Sequence, residues 1–195
     1  MKNLLKIFSG GLLFFCISPM VFAQQFTKPS VALDVPYVPT KEIIVNEMLE
    51  MADVKGEDVL YDLGSGDGRI PITAAKRFGT RGVGVDINPL RIEEANARAE
   101  KEQVTDKVKF IEANIFDVDF SEATVVTLYL LPQVNMKLRP KILDLKPGTR
   151  VVSHNYDMGD WEPQKMKKIE TDKGFVHTIY YWVVPEKDYQ KKPGH

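Results

Sequence analysis

Residues 59–70, VLYDLGSGDGRI, constrain the fold more than any other stretch of the chain. An apolar run ends in an acid, three glycines follow within five residues, and an apolar helical pattern then resumes. Glycine permits positive φ, and it removes the Cβ that would hold a ligand away from the backbone. The start of the following helix offers unpaired N–H groups that favour a carboxylate or phosphate. The stretch therefore predicts a strand, a loop able to cradle a nucleotide-like ligand, and a helix. A tight strand-to-helix turn with no ligand stays open on this stretch alone.

The surrounding pattern repeats that unit. Thr40 is placed to cap a helix over Ile43–Ala52, and Asp58–Leu63 reads as a buried strand. A helix over Arg69–Phe78 follows, with Pro71 in its first turn and Gly79 closing it. Strands are expected over Gly82–Asp86, Val108–Glu112, Thr124–Leu131, Arg150–His154 and Phe175–Val184, the last preceded by a hairpin turn at Gly174. Helices are expected over Pro89–Gln103 and, interrupted near Pro140, over Pro132–Leu143. Strands alternating with helices predict a doubly wound α/β fold with a mainly parallel sheet, helices on both faces and ligands at the carboxyl ends of the strands.

The spacing narrows the ligand. A dinucleotide loop needs a third glycine at position 69, where this chain has Arg69, and no Gly-Lys-Ser/Thr of a phosphate loop is present. Asp86 ends the next strand and can accept both hydroxyls of a ribose, or cap the helix after Asn88-Pro89. Asp62-x-Gly64-x-Gly66-x-Gly68 resembles the S-adenosylmethionine loop of class I methyltransferases. That resemblance implies a seven-stranded Rossmann-like sheet. It gives Asp62 the ammonium end of the cofactor, Gly64, Ser65 and Gly66 its carboxylate, Asp86 its sugar, and Asn114 and Ile115 its adenine, with Ile87 a further cofactor-binding residue.

Further motifs extend the likeness: Tyr37-Val-Pro-Thr40 ahead of the first helix, Asn88-Pro89, Leu131-Pro132-Gln133 and Trp161-Glu-Pro163. In this order they resemble the protein-lysine methyltransferases related to the ATP-synthase c-subunit lysine methyltransferase. The family implies in-line methyl transfer to a protein lysine or another amine. Tyr129, Pro132 and Gln133 are the candidates for positioning the acceptor, joined by Leu131, Tyr37 and Thr40. His154, Asn155 and Tyr156 follow the fifth strand at the same end; His154 is a structural histidine or a base, and Trp161 a lid or a core residue. Two other functions stay open: a ligand- or partner-binding module without turnover, and a nicotinamide-dependent oxidoreductase, which Arg69 disfavours.

The N-terminus predicts export. Lys2 and Lys6 precede an apolar run over Ile7–Phe22, and Val21-Phe22-Ala23 supplies small residues at a cleavage site, so residues 1–23 read as a signal peptide. An uncleaved anchor is the alternative, although 16 residues are short for a span. Cys16, the single cysteine, lies inside that run, so cleavage leaves no thiol for a disulfide, a nucleophile or a metal site. Residues 24–39 are expected as an extended lead-in, 40–186 as the catalytic domain and 187–195 as a flexible tail. With 26 basic and 27 acidic residues, the chain shows no electrostatic signature of a nucleic-acid or membrane surface. Three scattered histidines suggest no metal centre.

Overall fold

The computed structural model describes residues 37–186; the expected signal peptide, most of the lead-in and the tail lie outside the described residues. Seven strands form one sheet: β1 (Val59–Leu63), β2 (Arg81–Asp86), β3 (Val108–Glu112), β4 (Val125–Leu128), β5 (Arg150–His154), β6 (Lys165–Thr171) and β7 (Phe175–Val183). The helices are α1 (Glu42–Met51), α2 (Arg69–Phe78), α3 (Pro89–Lys101) and α4 (Pro132–Leu143). The strand order is β3-β2-β1-β4-β5-β7-β6. The first five strands are parallel, and β7 runs antiparallel to both β5 and β6.

Both faces of the central strands are covered, so β1, β4 and β5 are buried along almost their whole length, and β1 and β4 are mostly apolar. Alternate residues of β1 feed opposite cores. Leu60 joins Ile44, Met48 and Leu49 of α1, while Tyr61 and Leu63 join Leu138 and Ile142 of α4. Both α2 and α3 lie on the α1 side, where Ile72 and Ala75 meet Ala99. At the far end of the sheet Arg150 ties β5 to the loop after α1. It donates to the carbonyls of Ala52 and Asp53 at 2.7 Å each and pairs with the buried Asp58.

Four boundaries differ from expectation. Lys41, not Thr40, precedes α1 and offers no side-chain cap, because the Thr40 hydroxyl is turned to His154. Strand β4 stops at Leu128, where its pairing with β5 ends, and residues 129–131 leave the sheet to enter α4. Helix α4 continues through Pro140, which sits in its last turns. Strand β6 was not foreseen: it is the polar outer strand, with Lys165, Met166, Lys167 and Lys168 all exposed, so no apolar alternation marks it. The hairpin turn at Gly174, φ +75°, joins β6 to β7 as expected.

Candidate active site

The carboxyl ends of β1, β2 and β4 open onto a cleft with about 990 Å³ of unfilled space, its mouth included. Its floor is the glycine loop. The N–H groups of Gly64 and Ser65 both donate to the Val85 carbonyl, at 2.8 and 2.9 Å, and bind the loop to β2. Gly64 and Gly66 adopt φ of +82° and +52°, left-handed conformations open to glycine. A Cβ on Gly66 would lie 2.5 Å from the Tyr37 ring, so the lead-in closes directly over bare backbone. Gly68 serves packing instead. A Cβ there would strike the Phe110 ring at 2.5 Å, so its bareness lets α2 lie close against β3.

Asp86 lies at the end of β2 beside this floor. Its Oδ2 accepts the Gly66 N–H at 2.8 Å and its Oδ1 accepts the Asn88 N–H at 2.9 Å. Each oxygen keeps a second lone pair, enough for two sugar hydroxyls. The helix cap is Asn88, whose side chain accepts from Leu90 N–H at 3.0 Å, so Asp86 is not spent on that role. Asp62 is 3% exposed at the end of β1, and its Oδ1 accepts the Thr127 hydroxyl at 2.7 Å. Burial pushes its carboxyl up to about 7, and the charges of Asp86 and Asp67 add to the shift. A buried acid in this state gains from a cationic partner.

All eight residues expected at the cofactor line the cleft, Ile87, Asn114 and Ile115 among them. Asn114 is exposed and its Oδ1 accepts the Phe116 N–H at 3.0 Å, which leaves its amide NH₂ as the freer group for a ligand. Ile115 and Phe116 are the apolar residues beside it. Ser65 contributes main chain; its buried hydroxyl stands over Gly84 and has no hydrogen-bond partner. A bare main-chain cradle, a buried acid that favours a cation, a second acid with lone pairs for a sugar and an apolar wall for a flat ring fit S-adenosylmethionine.

On the acceptor side, Tyr129 lines the cleft, but Pro132 and Gln133 do not. They occupy the exposed first turn of α4, while Leu130 and Val134 face inward. The Tyr129 ring lies 3.9 Å from His154 and 6.3 Å from Tyr156, centroid to centroid. His154 is buried, with Nδ1 3.3 Å from the Thr40 hydroxyl and Nε2 2.9 Å from Nδ1 of His177. Burial, with a smaller contribution from His177, pulls its pKa down to about 3. Both ring nitrogens are engaged within the protein, and His154 does not line the cleft. Trp161 is no lid: its ring packs 5.8 Å from Trp182, and its carbonyl accepts the Trp182 indole N–H at 2.6 Å.

Arginines at the cleft were missed as site residues. Arg69, visible in the sequence only as a missing glycine, forks onto Asp67 at 2.8 and 2.7 Å and donates to the Thr40 carbonyl at 2.7 Å. The Arg91 guanidinium lies 4.4 Å over the Tyr37 ring. Together they strap the lead-in across the cleft. The only hint in sequence is the Asp67-x-Arg69 spacing, and nothing there says where the fork would reach.

Comparisons with known proteins bear on the family and the fold. The family model of the ANTKMT methyltransferase domain matches residues 62–165. A protein-lysine N-methyltransferase of Saccharolobus islandicus is 53% identical over 154 residues, 78% of this chain and 95% of that protein. An ATP-synthase c-subunit lysine N-methyltransferase of Xenopus laevis is 32% identical over 156 residues, 79% of this chain and 67% of that protein. Among solved structures, an RNA methyltransferase from Salinibacter ruber in complex with S-adenosyl-L-homocysteine is 49% identical. It superposes with a TM-score of 0.73 over 81% of this chain and 98% of its own.

Proposed function

This chain belongs to the ANTKMT methyltransferase family of S-adenosylmethionine-dependent enzymes, and we propose that it N-methylates lysine side chains of protein. The likeness to the archaeal protein-lysine enzyme, over nearly that protein's whole length, carries the choice of acceptor. When bound, S-adenosylmethionine supplies a methyl group on a sulfonium whose leaving group is already activated, so no nucleophile is required of the chain.

The chain's part is alignment and exclusion of water. The loop over Gly64–Gly66 and the acids Asp62 and Asp86 are the groups that would hold the cofactor. Tyr129, which lines the cleft, would face the incoming amine. The side chains around it are aromatic or amide: His154, Asn155 and Tyr156. A lysine brought among such groups is partly desolvated, which favours the neutral amine that reacts.

RNA is the competing acceptor, because the similar Salinibacter ruber structure is of an RNA methyltransferase. The even balance of 26 basic and 27 acidic residues disfavours it, since grip on a phosphate backbone comes from Lys and Arg. The test uses methyl-tritiated S-adenosylmethionine with an envelope extract, split into protein and RNA fractions. Label in ε-N-methyllysine after acid hydrolysis of the protein supports the proposal; label confined to RNA rejects it. Export is proposed on the Lys2–Ala23 pattern alone, and fractionation of cells expressing the full chain tests it. Enzyme that stays in the cytoplasm at full length would refute export.

A further inference from the structure

Three polar side chains stand in single file behind the cleft. Thr40 lines the cleft and holds its hydroxyl 3.3 Å from Nδ1 of His154. Nε2 of His154 lies 2.9 Å from Nδ1 of His177. The file ends at Nε2 of His177, which is buried and has no hydrogen-bond partner among the described residues. A buried polar atom in that position is completed by a single water. The two rings come from neighbouring strands, His154 closing β5 and His177 lying near the start of β7. Tyr129, also of the cleft, rests its ring 3.9 Å from that of His154, so the file begins beside the residue that would face the amine.

A neutral imidazole carries one N–H and one bare nitrogen, so two of them in file can point only one way at a time. Burial keeps both rings below the ordinary histidine pKa, helped at His154 by His177 and at His177 by the Lys41 ammonium. In one sense the Thr40 hydroxyl donates to His154, His154 donates to His177, and the His177 Nε2–H points outward. Thr40 then offers only lone pairs to a ligand. In the other sense every hydrogen is reversed. Passing from the first sense to the second admits one proton at Thr40 and releases one at His177, and neither ring has to become charged.

We propose that Thr40, His154 and His177 are the proton exit of the acceptor site, carrying to solvent the proton that a lysine ammonium must lose before its nitrogen can attack. The ammonium gives a proton to Thr40 Oγ1 as the Thr40 hydrogen passes to His154 Nδ1, the His154 Nε2 hydrogen to His177 Nδ1, and the His177 Nε2 hydrogen to a water. The amine keeps the electron pair of the broken N–H bond, free for attack on the methyl group. An acceptor seated in the cleft shuts out the water that would otherwise take this proton, which is why an internal route matters. Once the product leaves and water refills the cleft, Thr40 gives its hydrogen to that water, the file runs backward, and the first sense is restored. This rests on the lysine reading above. Thr40 is the residue that touches the amine, and the histidines act through it.

The test uses the full chain. His177→Asn puts an amide oxygen where Nδ1 stands, so the hydrogen bond from His154 survives while onward transfer stops. With methyl-tritiated S-adenosylmethionine and a peptide carrying one lysine, kcat at neutral pH should fall on the order of a hundredfold. The loss should shrink as pH rises toward the pKa of the amine itself. A second peptide carries a difluorinated lysine whose amine is already largely neutral at the assay pH; on it the variant should match the wild-type chain. An equal loss on both peptides marks a purely structural residue and overturns the proposal, as does an unmoved rate on lysine. Nitrogen NMR of histidine-labelled wild-type protein judges the file with no substitution made. Both rings should be neutral and in matching tautomers; a charged ring at neutral pH, or opposed tautomers, also overturns the proposal. If the wild-type chain labels neither peptide, the lysine reading fails, and the tautomers still decide whether the file exists.

Discussion

Asp86 answers to two partners in the folded chain, and its replacement separates them. Asp86→Ala removes the acceptor for the Gly66 and Asn88 N–H groups as well as the acid facing the cleft. Affinity for S-adenosyl-L-homocysteine should fall by about 1–3 kcal/mol, read by calorimetry. Asp86→Asn keeps one side-chain carbonyl acceptor and should lose less. A loss of melting temperature with affinity intact would reduce Asp86 to a loop anchor. Gly66→Arg should abolish binding outright, because the first added carbon already meets the Tyr37 ring; unchanged affinity would refute the cradle. That Asp62, Asp86 and Tyr129 line the cleft was legible, because a strand's end shows in sequence and clefts open there. That Pro132 and Gln133 sit outside the cleft was not legible, because the phase of a helix depends on where its first turn meets the sheet.

At the scale of elements, the lead-in is held by side chains that no periodicity connects. Arg69, at the start of α2, carries both the Asp67 fork and the hydrogen bond to the Thr40 carbonyl. Arg69→Gln should therefore free the segment around Tyr37 while leaving the sheet intact. Amide exchange should quicken at residues 40–45, and dissociation of S-adenosyl-L-homocysteine should become several-fold faster. Unaltered exchange there would show that Arg91 and the apolar contacts of α1 suffice. Most elements were legible: β3, β5 and α2 begin and end where their patterns do. Buried strands advertise themselves through unbroken apolar runs, whereas β6 has one neighbour and faces water, so its sequence, KMKKIET, carries the chemistry of a surface.

For the whole molecule, two buried groups set opposing pH dependences. Asp62 titrates near 7 when folded and from 3.8 when unfolded, so its contribution is full below the lower value and is lost as pH rises through about 7. His154 goes the other way. Its folded pKa of about 3 lies below the ordinary 6.5, so its contribution is present above 6.5 and is lost as pH falls toward 3. Between roughly pH 4 and 6.5 the two slopes cancel, and the ligand-free protein should show a nearly flat melting temperature there. Asp62→Asn should unmask a rise with pH, and His154→Gln a fall. Parallel profiles in the two variants would contradict the assignment. A cationic ligand beside Asp62 draws its proton off, so affinity should weaken as pH drops below about 7 and lose that dependence in Asp62→Asn. None of this was readable from the chain, because depth of burial decides it.

The lysines of β6 have a bearing beyond the single molecule. A sheet that ends in a bare ladder of N–H and C=O groups invites another copy to continue it. Here a second border approaching side by side would meet the exposed lysines Lys165 and Lys168, and Lys167 paired with Glu47. Charge of one sign along that rim makes it a poor template for a further strand.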